Sequence, residues 1–204
     1  MGESFGNFIR KQREKIGTPP LYDKGGVRVM RFEDSRKRPK SEELKKAYPE
    51  LYNFLLTGKP ANKFKVGILH LDAKGSISNE RAVAGATPIN TVLRLKRLIH
   101  AGLIEIAKEM RDNPTSELGK LEYLTAGSMF FRAKRVAENL GFEIFDMDDD
   151  EEMKFKSASH ENIKQTYKKS NELGTTKRDL SKIDELDAKV GLISREAIMA
   201  LLKK

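Results

Sequence analysis

The chain has 204 residues, a net charge of +9, a hydrophobic fraction of 38% and no cysteine. This length suits one well-buried core, and the missing cysteines exclude disulfides, thiolate catalysis and cysteine-ligated metal. No apolar run is long enough to cross a membrane, and the opening MGESFGNFIRKQREK lacks the apolar core of a secretory signal, so a cytoplasmic protein without a membrane partner is expected.

Charge is unevenly spread. Residues 1–64 carry 15 Lys and Arg against 8 Asp and Glu, whereas 146–152 (DMDDDEE) is acidic apart from Met147. A basic end of this kind attracts polyanions such as nucleic acid or a phosphate-bearing coenzyme.

In chain order, residues 5–16 place Phe5, Phe8, Ile9 and Ile16 on one side of a short basic helix, stopped by Gly17 and Pro19–Pro20. Val27–Phe32 reads as a strand entered through a Lys24-Gly25-Gly26 turn. Ser35–Lys40 is a charged loop. Ser41, with Glu42 and Glu43 in the first turn, then opens a helix to about Leu56, striped by Leu44, Tyr48, Leu51 and Leu55 and bent or split at Pro49. Lys65–Leu71 is the clearest strand, followed by a turn at Asp72–Gly75.

Thr87-Pro88 starts a long helix, cap followed by proline. It runs to about Met110, with Ile89, Val92, Leu95, Ile99, Leu103, Ile106 and Met110 along one side and Arg94 and Arg97 pointing away. Leu121–Thr125 reads as a buried strand. Gly127-Ser128 caps a helix over Met129–Leu140, closed by Gly141, and Phe142–Phe145 is a further strand. Past the acidic run, helical patterns cover about Glu161–Leu173, Lys177–Val190 and Arg195–Lys203, with thin apolar stripes that suit docking on a protein partner.

This alternation predicts an α/β (α+β) fold, a mixed central sheet flanked by helices with a helical C-terminal extension. The expected organisation is a basic N-terminal helix at 1–20, an α/β domain at 21–147, an acidic linker at 148–156 and a helical arm at 157–204.

Residues 129–145, MFFRAKRVAENLGFEIF, resemble the last helix and strand of the GCN5-related N-acetyltransferase superfamily, with its LGF turn between them. The long helix ending LIEIAKEM and the strand LEYLT are similar to that family's central helix and the strand after it. The likeness spans about residues 27–147. It implies an acetyltransferase-like domain that binds acetyl-coenzyme A, with or without transfer of the acyl group to an amine. The family's pyrophosphate loop, R/Q-x-x-G-x-G/A at the start of the central helix, has its nearest counterpart in Arg81, Gly85, Ala86 and Thr87, with Ala84 where the first glycine belongs. The tyrosine that often protonates the departing thiolate would fall at Ala137, and an asparagine of the same phrase at Phe130.

His70, Glu105 and Glu122 are candidates for the base that deprotonates an acceptor amine. His70, His100 and His160 lack metal-ligand spacing, and the acidic run lacks the pattern of a calcium loop, so no metal is indicated. The alternative to a transferase-like protein is a non-enzymatic nucleic-acid-binding or assembly factor. It would use the basic cluster Arg36, Lys37, Arg38 and Lys40, with Arg94 and Arg97 one helical turn apart.

Overall fold

The computed structural model describes residues 19–24, 27–32, 41–59, 63–71, 88–148, 168 and 189–203, with backbone alone at 71, 88–95 and 129. Short alternating runs build its first hairpin. β1 (Tyr22–Lys24) pairs antiparallel with β2 (Val27–Arg31), which buries Val27 and Val29 on one face and turns Met30 to the other.

Two helices follow. Ser41 is fully buried, and its Oγ accepts the Leu44 N–H at 3.1 Å to cap α1 (Glu42–Ala47). Pro49 cannot continue that helix but begins α2 (Pro49–Thr57) without cost, since its missing N–H lies in the first turn. The split expected at Pro49 is therefore present. β3 (Val66–Leu71) enters next, and α3 (Pro88–Asp112) carries the chain to β4 (Tyr123–Ser128).

A 3-10 turn (Met129–Arg132) and α4 (Lys134–Glu138) lead to β5 (Glu143–Asp146). Gly141 separates the last two with φ of 93°, the left-handed conformation that a helix C-terminus favours. The chain returns as β6 (Lys189–Ser194), α5 (Arg195–Ala200) and a closing 3-10 turn (Leu201–Lys203).

The sheet has six strands in the order β1-β2-β3-β4-β6-β5. Among them β3 and β4 alone run parallel, and the helix α3 joins them as the crossover that parallel strands require. Helices cover both faces. On one, Ile99, Leu103, Ile106 and Met110 of α3 are fully buried over Val29, Leu69, Leu124 and Ile193, each contributing about 1.5–3 kcal/mol by leaving water. On the other, Leu44, Leu51, Phe54 and Leu55 of α1 and α2 lie over Val66, Ile68, Val190 and Leu192. The fold is thus α+β with a mixed sheet, as the alternation predicts.

Four local readings need correction: the helix expected over Met129–Leu140 is a 3-10 turn at Met129–Arg132 followed, after Ala133, by α4 at Lys134–Glu138. The lone strand expected at Val27–Phe32 is the second arm of a hairpin. The strand expected at Leu121–Thr125 runs from Tyr123 to Ser128, because β6 pairs with all six of its residues. Lys189 and Val190, read as the end of a helix, begin β6, which inserts between β4 and β5. Residues 189–203 therefore belong to the sheet and its core rather than to a helical arm. The N-terminal helix, the linker beyond Asp148 and the helices expected at 161–173 and 177–190 lie outside the described residues, Lys168, Lys189 and Val190 apart.

Candidate functional site

The parallel pair is short. β3 and β4 ladder at Val66↔Tyr123, Gly67↔Leu124 and Ile68↔Thr125, and there the pairing ends. β3 then stays with β2, through Leu69↔Val29, His70↔Arg28 and Leu71↔Val27. β4 stays with β6, through Ala126↔Gly191, Gly127↔Val190 and Ser128↔Lys189. Leu69–Leu71 and Ala126–Ser128 are not laddered to each other, and this unladdered stretch toward the C-terminal ends of the two strands is termed the wedge. Backbone edges of this kind present N–H and C=O groups at strand spacing. In sheets containing parallel strands, ligands bind in the crevice outside the carboxyl ends where neighbours diverge.

Local chemistry fixes the rims. Ser128 Oγ accepts the Phe130 N–H at 3.1 Å, which ends β4 and turns the chain into its 3-10 helix. Lys189 forms an ion pair with Asp146, joining the ends of β6 and β5. On the other rim, Arg28 bonds Asp23 at 2.8 Å across the hairpin.

At the vertex stands Thr125, fully buried. Among the described residues, its Oγ1 is the one buried side-chain oxygen without a hydrogen-bond partner. Strand alternation puts it on the face of Tyr123, the face covered by α1 and α2. His70 follows Ile68 on that same face of β3, one step up the wedge, and is exposed.

Gly102 of helix α3 lies directly against Val27 of β2, the residue paired with Leu71 at the C-terminal end of β3. The helix residues that precede Gly102 span about 21 Å at the usual helical rise, and Ile99 among them is still buried in the core. On the turns before Gly102, His100 and Lys96 are half-buried and Arg97 is exposed. The helix has no acidic residue in its first turn.

The candidate residues are distributed as follows. Arg81, Gly85, Ala86, Thr87 and the cluster Arg36, Lys37, Arg38 and Lys40 lie outside the described residues. Arg94 is described in backbone alone, within α3, and Arg97 has the exposure expected of it. Of the three base candidates, Glu105 is exposed and bound to Lys108 at 2.6 Å, while Glu122 accepts the Lys65 N–H at 3.3 Å at the far end of the ladder. His70 alone adjoins the wedge. Ala137 and Phe130, where the resemblance would put a tyrosine and an asparagine, are both buried in the core. The wedge and Thr125 are not marked in the sequence by any motif; an isolated hydroxyl between Leu124 and Ala126 is their one trace.

A separate groove of about 330 Å³ opens at the opposite end of β3, lined by Phe32, Phe54, Phe64 and Lys65 and crossed by the 2.6 Å ion pair of Arg31 with Glu117. On the α1–α2 face, the Tyr48 hydroxyl donates to Glu143 Oε1 at 2.7 Å, and that bond, reinforced by burial, raises the phenol to about 12. Among the described residues no His, Asp and Glu side chains gather as a metal site, and no helix is long and apolar enough to cross a membrane. No protein-family model, curated protein or solved structure matches the chain.

Proposed function

We propose that the chain binds an acyl-coenzyme A in the wedge between β3 and β4 and transfers the acyl group to an amine. The observation that supports this reading is the end of the parallel ladder after Ile68 and Thr125. A pantetheine arm is an extended chain interrupted by amides, and it matches two strand edges offering donors and acceptors at strand spacing. Its phosphates would meet Arg97 and Lys96 on α3, whose charge-assisted bonds to phosphate are strong. The sequence resemblance supports the same end of the molecule, since its phosphate loop, Arg81 to Thr87, leads into α3.

The transfer needs few groups. The amine nitrogen attacks the thioester carbonyl carbon, the carbon–sulfur bond breaks, and the coenzyme leaves as a thiolate that takes a proton from solvent. His70, beside the wedge, accepts the proton released by the amine. With alanine at the family's tyrosine position, no side chain there donates to the thiolate.

Thermal unfolding with acetyl-coenzyme A, free coenzyme A, ATP and heparin tests the proposal. Stabilisation by both coenzymes and not by ATP or heparin supports it. Equal stabilisation by heparin would favour the polyanion-binding alternative, and no shift with either coenzyme would overturn the reading.

A further inference from the structure

We infer that the groove at the start of β3 is a binding site for a small aromatic carboxylate. It lies at the opposite end of β3 from the wedge, so the inference stands apart from the coenzyme reading. Its volume of about 330 Å³ is at the lower end for small-molecule sites, which suits a body of one or two rings. Such sites join an apolar lining to a few polar groups that fix orientation, and both parts are present.

The apolar part is aromatic. Phe54 stands between Phe32 and Phe64, with ring centroids at 5.0 and 5.7 Å. Phe32 and Phe54 are buried, whereas Phe64 is half-buried and keeps open surface toward the groove. Aromatic rings packed at such spacings gain more than simple burial, so a flat ligand finds a matching wall.

The polar part is cationic. Arg31, Lys65 and Lys120 line the groove against a single carboxylate, Glu117. Arg31 donates from Nε to Glu117 at 2.6 Å and from Nη1 to the Pro19 carbonyl at 2.7 Å. Its Nη2 donors and the ammonium groups of Lys65 and Lys120 have no partner among the described residues. These donors select an anion, and a carboxylate meets them with charge-assisted hydrogen bonds. Both lysines stand on fixed backbone. The Lys120 N–H donates to the Ser116 carbonyl at 3.0 Å, Arg195 holds the Gly119 carbonyl beside it, and the Lys65 carbonyl accepts the Glu122 N–H at 2.7 Å. A site whose walls are set before binding loses less to ordering.

The test follows amide NMR spectra of the whole chain through titration with naphthoate. Naphthylmethanol supplies the rings without the charge, and acetate the charge without the rings. Naphthoate is expected to shift the amides of Phe64, Lys65 and Lys120 and to bind about tenfold more tightly than naphthylmethanol, the worth of a hydrogen bond to a charged group. Acetate is expected to leave those amides in place. Lys65→Gln combined with Lys120→Gln alters two exposed positions and should unfold with wild type. It is expected to lose most of the affinity for naphthoate and to bind naphthylmethanol as before. Groove amides that do not move with naphthoate would overturn the inference. So would equal affinity for the acid and the alcohol, or an unchanged preference for the acid in the double variant.

Discussion

Gly191 is the seat of the Phe131 ring: a Cβ added to this glycine would lie 2.3 Å from Cζ of the phenylalanine. The ring has nowhere to retreat. It is fully buried, with the Phe130 and Phe142 rings at 5.7 and 5.0 Å between centroids. Gly191 itself is bracketed by Ala126 on β4 and Ile144 on β5. Gly191→Ala should therefore cost about 1–3 kcal/mol through overpacking. Phe131→Leu combined with it should recover part of that loss, giving a favourable coupling in a double-mutant cycle measured by denaturant unfolding. Additive losses would show that ring and glycine do not constrain each other.

The same pair explains why β6 is hard to read from sequence. In K-V-G-L-I-S a glycine inside a buried strand looks like punctuation, and its purpose appears only when a ring from residue 131 is laid over it. By contrast α3 is plain in the sequence, because Ile99, Leu103, Ile106 and Met110 recur at helical spacing and all face the sheet. Ser41 and Pro49 are equally legible, since capping and proline chemistry act within a few residues. The wedge is not. It arises from the register of β4 against two different strands, and no local pattern encodes which rung is the last. Thr125 sits in an apolar run where a lone hydroxyl carries no spacing to recognise.

The start of α1 is tied down at several points. Ser41 caps it, Asp148 Oδ1 accepts the Glu42 N–H at 2.9 Å, and Glu43 Oε2 accepts the Asp146 N–H at 2.8 Å. Ser41→Ala leaves the Leu44 N–H without that acceptor in a fully buried setting, and a loss of about 0.5–2 kcal/mol is expected. Ser41→Thr should restore most of it in thermal unfolding. An alanine variant as stable as wild type would remove the cap from the account of this helix.

Tyr48 links the helices to β5 through Glu143, and its phenol is raised from 10.0 to about 12 in the fold. Because the folded value exceeds the unfolded one, this contribution is complete below pH 10 and is lost as pH rises toward 12. The bond is partly solvated, which keeps its worth small. Tyr48→Phe should therefore narrow the difference in stability between pH 9 and pH 12 relative to wild type. Equal alkaline profiles for the two proteins would show that the phenol titrates alike in both states.

Arg97 separates two accounts of how phosphate would be held. Arg97 lies five residues before Gly102, about 7.5 Å along α3 at the usual helical rise, whereas Arg81 precedes the helix in sequence. Arg97 is exposed, so Arg97→Ala should leave the unfolding temperature of the free protein within a degree or two. Under the coenzyme reading it should weaken coenzyme A binding about tenfold, the worth of a hydrogen bond to a charged group, and flatten its dependence on salt. Arg81→Ala measured beside it reports on the loop. If affinity falls with Arg81 and not with Arg97, the phosphates sit at the helix start and the loop folds back over the wedge. If it falls with Arg97 alone, the helix flank binds them, and the glycine missing at position 84 has no consequence for the site.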